Sequence, residues 1–132
     1  MTLTASATTP DEVARARTER ANAIAASGDI EQAIESGALP NRIDTTLSEA
    51  IVLGLLRQDV RTFLCVLGHG STELAEVLRI YHNAGLVRVV NLRSEIEASH
   101  AAAALRWVTG EKAAVVTSIG PGALQALAAS MA

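Results

Sequence analysis

The sequence predicts an α/β fold: a three-layer α/β/α arrangement around a parallel sheet, with an N-terminal helical extension. Two observations predict it. Short apolar runs, TFLCVL at 62–67, LVRVVNL at 86–92 and AAVVT at 113–117, alternate with longer segments of helical spacing. Such alternation implies parallel strands joined by right-handed crossovers. The second observation is composition. Of 132 residues, 49% are hydrophobic but only 2% aromatic, so the core must be small aliphatic side chains packed closely between layers.

Taken in order, residues 1–10 read as a flexible start ending in Pro10, and Asp11 and Glu12 open an Ala/Arg-rich helix to about Ser27. GDIEQAIESGALPNR forms a short helix around Ile30 to Ser36 before Gly37 and Pro40 break it. Residues 1–44 are thus an N-terminal helical extension and connector, an appendage whose Arg15, Arg17 and Arg20 face a partner or solvent. The compact domain spans 45–132. Thr46 and Glu49 have capping-box spacing, and Leu47, Ala50, Ile51 and Leu55 continue one helical face to about Gln58. TFLCVL reads as a strand buried on both faces. STELAEVLRIYHNAG is helical through Leu74, Val77, Leu78 and Tyr81 and ends at Gly85, before the β-branched second strand. A helix over 95–108, a strand over 113–117, a glycine turn and a last helix complete the plan.

Several function classes are excluded. Eleven basic against fourteen acidic residues give a net charge of −3, and no aromatic residues interleave with basic ones, so nucleic acid is not an expected partner. No run of about 18 apolar residues is present to span a membrane, nor an N-terminal signal segment, and the expected location is the cytoplasm. Cys65 lies inside an apolar run and reads as a reduced core residue.

In a parallel sheet, ligands gather beyond the carboxyl ends of the strands. Three loops lie there: GHGS after the first strand, NLRSE after the second and TSIGPGA after the third. In GHGS, Gly68 and Gly70 allow a sharp turn and close approach to a ligand, Ser71 can cap the next helix, and His69 can line the site. A plain strand-to-helix turn would use the same residues. Neither the third glycine of a dinucleotide fingerprint nor a P-loop lysine is present. In TSIGPGA, Ser118 precedes Gly120, Pro121 and Gly122, a stiff turn that leaves helix-opening amides free.

The loop RSEIEASHAA carries two carboxylates at a helix start. Ser94 and Glu97 form a capping box, which leaves Glu95 as the residue without a structural assignment beyond dipole stabilisation. His100 follows in the same slim helix and reads as a packing residue.

Together these segments resemble the pyrimidine-binding (PYR) domain of thiamine-diphosphate-dependent enzymes, the superfamily of acetolactate synthase and the 2-oxo acid decarboxylases. The resemblance covers residues 45–132. It is carried by the Glu95 helix start, HAA at 100–102, Thr109 and Gly110, AAVVT, and TSIGPGA. It implies the ThDP-binding fold of PYR type, with Glu95 as the catalytic residue. The glutamate in that position hydrogen-bonds N1′ of the aminopyrimidine, favouring the imino tautomer that takes the thiazolium C2 proton and gives the ylide. Gly68, His69, Gly70 and Ser71 would then lie near thiazolium and substrate, and Ser118, Gly120, Pro121 and Gly122 near the aminopyrimidine. Ile119 and GHG look most similar to the trihydroxycyclohexanedione hydrolases of inositol breakdown. Against the family's common pattern, this chain has Ile96 and Glu97 where a glutamine is usual and Leu124 after GPGA where asparagine is usual. The implied reaction is therefore cleavage or carboligation next to a carbonyl, in a 2-oxo acid or a cyclic diketone.

The family holds the cofactor diphosphate through Mg²⁺ on a second domain with a Gly-Asp-Gly motif. This chain has only Gly28-Asp29-Ile30. No metal ligand is assigned to it, and Mg²⁺ is expected on a complementary pyrophosphate-binding domain or subunit. The domain reads as incomplete at its C-terminus, a fragment or split subunit working in a homodimer or heteromer. Some relatives bind FAD, which no residue here calls for. The alternative is a non-catalytic flavodoxin-like binding or scaffold subunit.

Overall fold

The computed structural model describes residues 9–129. The flexible start expected for residues 1–10 therefore lies, up to residue 8, outside the described residues. Three strands, β1 (Thr62–Cys65), β2 (Arg88–Asn91) and β3 (Ala113–Val116), form one parallel sheet in the order β2-β1-β3. Phe63 stands opposite Val89 on one side and Ala114 on the other. Each strand is shorter than the apolar run that predicted it. Leu86, for example, closes the preceding helix instead, its amide donating to the Tyr81 carbonyl at 3.0 Å.

The helices are α1 (Pro10–Ser27), α2 (Ile30–Glu35), α3 (Leu47–Arg57), α4 (Thr72–Asn83), α5 (Glu95–Thr109) and α6 (Pro121–Ala129). β1 leads through α4 to β2 on one side, and β2 leads back through α5 to β3 on the other. Right-handed crossovers then put α4 and α5 on opposite faces. α4 packs with α1 and α3, whereas α5 lies on β1 and β3 and against α6. The result is the three-layer α/β/α arrangement.

The main core lies between the sheet and the α1–α4 layer, where Val52, Phe63, Cys65, Val77, Leu78 and Tyr81 are buried together. Leu64 is buried outside this cluster, on the opposite face by strand alternation. The extension is not a loose appendage: Ala21 and Ile24 of α1, Ile30 and Ala33 of α2, and Leu39 belong to the same cluster. α1 begins with a complete capping box between Thr9 and Glu12, and Asp29 caps α2 by accepting from the Gln32 amide at 2.8 Å. That cap accounts for the Gly28-Asp29-Ile30 segment in structural terms.

Two expectations about charges are corrected. The capping box at Thr46 and Glu49 forms only by half: the Thr46 hydroxyl accepts from the Glu49 amide at 3.4 Å, but the Glu49 carboxylate turns inward and is fully buried. It accepts from Arg20 Nε and Nη2 at 2.9 and 2.5 Å, from the Thr45 hydroxyl at 2.5 Å and from the Tyr81 hydroxyl at 3.0 Å. Burial alone would raise its pKa, but the hydrogen bonds from Arg20, Thr45 and Tyr81 outweigh it and hold the carboxyl below its ordinary value. Of the three arginines expected to face a partner or solvent, Arg15 is exposed and Arg17 and Arg20 point inward. Arg17 Nη2 donates to Thr46 at 2.7 Å and to Glu73 at 2.5 Å, with its Nε 3.6 Å from Glu49. Positions 17, 20, 21 and 24 share one helical stripe, so the arginines follow Ala21 and Ile24 onto the core face.

Candidate active site

The carboxyl ends of β1, β2 and β3 bring three loops to one edge of the sheet, and the loops are held together by close packing at glycines. After β1, the backbone passes Gly68 into a 3-10 turn over His69–Ser71. A Cβ at Gly68 would stand 2.7 Å from the Ser118 Cβ, and one at Gly70 would overlap the γ-methyl of Ile119. These glycines are required by the approach of the third loop to the first. The helix cap expected from Ser71 does not form: its hydroxyl instead accepts from the Gly68 amide and donates to the Gly68 carbonyl, both at 3.0 Å. Ser71 thus closes its own turn. The His69 imidazole is exposed and has no hydrogen-bond partner among the described residues.

After β2, Ser94 accepts from the Glu97 amide at 3.2 Å and starts α5. The return half of the expected capping box is missing, and Glu97 is exposed. Glu95, one residue into the same helix, is only 7% exposed. Its Oε1 accepts a hydrogen bond from the Ser118 hydroxyl at 3.1 Å, and no other side chain or amide among the described residues bonds to its carboxylate. The dipole of α5 favours an anion here by about 0.3–1 kcal/mol. Oε2 has no hydrogen bond and is not sealed from solvent, since the only fully buried side-chain polar atom without a partner among the described residues is Arg17 Nε.

After β3, Ser118 points between the other two loops. Gly120 has φ 68°, a left-handed conformation that favours glycine, and turns the chain into Pro121 at the start of α6. Gly122 is buried, and a Cβ there would collide with both Glu95 Oε1 and Ser118 Oγ. The structure therefore brings Gly68, Glu95, Ser118 and Gly122 into one contiguous cluster, with Gly70 against Ile119 beside it. His69 and Pro121 lie at its exposed rim.

Other candidates separate from this cluster. Cys65 is a free, buried thiol whose pKa burial pushes up to about 11, so it stays protonated in the core. His100 is exposed and, with Trp107, Thr117 and Leu127, lines an apolar groove of about 840 Å³ between α5, α6 and β3. Its lining holds no carboxylate. At Glu95, by contrast, an ionisable group and its hydrogen-bond donor meet directly above a glycine backbone. Among the described residues no group of three or more His, Cys, Asp and Glu could hold a metal ion, and no helix is long and apolar enough to cross a membrane.

The residues of the cluster were visible in the sequence as separate motifs, but their contact was not. Nothing in the spacing of Glu95 and Ser118, 23 residues apart, announces a hydrogen bond. The buried Arg17, Arg20 and Glu49 group was also missed, although the shared stripe of 17, 20, 21 and 24 carries its signal. Residues 45–131 match the family model of the thiamine pyrophosphate enzyme, N-terminal TPP binding domain. No curated protein and no solved structure matches the chain.

Proposed function

The chain belongs to the thiamine pyrophosphate enzymes through their N-terminal TPP binding domain, and from that premise we propose that Glu95 is its catalytic residue, serving cleavage or formation of a bond next to a carbonyl. The observation that carries this reading is the Glu95 carboxylate, buried at the carboxyl ends of the strands with one oxygen bonded to Ser118 and the other without a hydrogen bond. The residues fit the group. Glu95 offers a carboxylate oxygen without a hydrogen bond among the described residues, and the missing side chain of Gly122 lets Glu95 and Ser118 pack directly on the backbone of the third loop. When bound, thiamine diphosphate supplies an acidic C2–H and, after its loss, a carbon nucleophile.

This chain's own residues would do the following. Glu95 would hold a proton against the pyrimidine ring nitrogen N1′ and exchange it through the oxygen that Ser118 leaves free. Gly120, Pro121 and Gly122 present backbone at the pyrimidine edge. Gly68 and Gly70 keep the first loop tight against the third, and His69, at the rim, faces the substrate side. The Mg²⁺ and diphosphate are held by a complementary pyrophosphate-binding domain or subunit, in a homodimer or heteromer. The substrate is a small carbonyl compound, a 2-oxo acid or a cyclic diketone. A cytoplasmic location accords with this chemistry.

Calorimetric titration with thiamine diphosphate and Mg²⁺, on the chain alone and with its co-purifying chain, tests the reading. Binding is expected with the complementary chain, and Glu95→Gln is expected to abolish C2 proton exchange while changing stability by less than about 1 kcal/mol. Exchange at the wild-type rate in Glu95→Gln would sink it and leave a non-catalytic binding subunit.

A further inference from the structure

Ser118 occupies an unusual position: its side chain is wedged between two glycines and touches a single functional group. A Cβ at Gly68 would press on the Ser118 Cβ at 2.7 Å, and one at Gly122 would strike the Ser118 hydroxyl and Glu95 Oε1 together. Both glycines thus clear space for one hydroxyl and the carboxylate oxygen it meets. The Ser118 hydroxyl donates to Glu95 Oε1 at 3.1 Å, and no other hydrogen bond among the described residues uses its oxygen. Glu95 itself is anchored only by its helix start and this bond. A glutamate has three side-chain torsions, and a carboxylate held by one end of one oxygen presents its other oxygen in a defined direction.

We propose that Ser118 is a positioning residue for Glu95 rather than a contact of the cofactor. Its hydroxyl fixes Oε1, which leaves Oε2 as the oxygen that exchanges the proton, and Gly68 and Gly122 keep the hydroxyl on that line. The inference rests on the reading of Glu95 given above and deepens it. A hydrogen bond to a carboxylate oxygen is stronger than one between neutral groups. Misplacing a reacting group by about 1 Å can cost a hundredfold in rate. A cofactor contact would instead act mainly on affinity.

The test uses the full chain with the chain that co-purifies with it, thiamine diphosphate and Mg²⁺, and compares wild type, Ser118→Ala, Gly122→Ala and Glu95→Gln. In Ser118→Ala the C2 proton exchange rate is expected to fall by roughly ten- to a hundredfold, while calorimetric affinity for thiamine diphosphate stays within about threefold. Without cofactor, the side-chain carboxyl ¹³C resonance of Glu95 should move in Ser118→Ala, and also in Gly122→Ala, which keeps the hydroxyl but drives it off Oε1. An unmoved resonance, or a moved one with exchange at the wild-type rate, overturns the proposal. So does a fall in affinity that accounts for the whole loss, which would make Ser118 a cofactor contact. If Glu95→Gln abolishes exchange and Ser118→Ala does not alter it, the positioning role alone fails. If Glu95→Gln exchanges normally, or wild type does not exchange at all, the reading of Glu95 fails and this proposal goes with it.

Discussion

Glu49 and Glu95 are both buried residues, yet their carboxylates are held in different ways. Glu49 has every oxygen engaged, by Arg20, Thr45 and Tyr81, and is a fixed charge. Glu95 has one bond and an oxygen to spare. Removing the charge at Glu49 takes from Arg20 its carboxylate partner, while Arg17 keeps Glu73, and Glu49→Gln should destabilise the fold by about 3–5 kcal/mol in urea titration. The pH dependence follows from the direction of the shift. Because the folded-state pKa of Glu49 lies below its ordinary value of 4.5, its contribution is fully present above that value. It is lost as the pH falls from there through the folded value. The acid limb of a stability profile should therefore be shallower in Glu49→Gln than in wild type. Sequence singled out Glu95 as a candidate because it stood at a strand end without a structural duty. It assigned Glu49 to a cap because capping spacing is local, whereas Arg20 and Tyr81, which draw its carboxylate inward together with Thr45, lie 29 and 32 residues away.

Among the elements, α1 shows how far local pattern carries and where it ends. Its opening at Asp11 and Glu12 and its end near Ser27 followed from the acidic first turn and the Ala/Arg-rich run, one residue short of the observed start at Pro10. Its place in the core did not, because its stripe of Arg17, Arg20, Ala21 and Ile24 mixes charge with apolar residues and reads as weakly amphipathic. The ion pairs to Glu49 make that stripe buriable. Ile24 is 1% exposed, so Ile24→Ala should cost about 2–5 kcal/mol in chemical denaturation; a loss under about 0.5 kcal/mol would show α1 to be dispensable. The strands were legible in number and position, and their ends were not. Apolar runs continue past the ladder where Leu86 closes a helix and Leu67 enters the first site loop.

For the molecule as a whole, the layered α/β plan was legible, but the strand order β2-β1-β3 was not, since pairing order is decided by crossovers and not by composition. The two faces of the sheet also differ. The α1–α4 layer encloses the main core, while α5 and α6 leave Trp107, Val108, Leu124 and Leu127 largely exposed. Trp107, the single tryptophan, is 83% exposed. In the proposed assembly with a complementary chain its emission should shift to the blue as the complex forms; an unshifted maximum would place the contact elsewhere.

The bonds that converge on Glu49 also constrain the order in which the chain can become itself. Arg20 leaves the ribosome first, Glu49 next and Tyr81 last, a span of about 60 residues. At roughly 5–20 residues per second that is about 3–12 s of synthesis. Until Glu49 arrives, the guanidinium groups of α1 are best left in water, and until Tyr81 arrives the carboxylate is short of one donor. α1, translated before its partners, thus settles after them, and its docking reports that the first strand and its following helix are already in place.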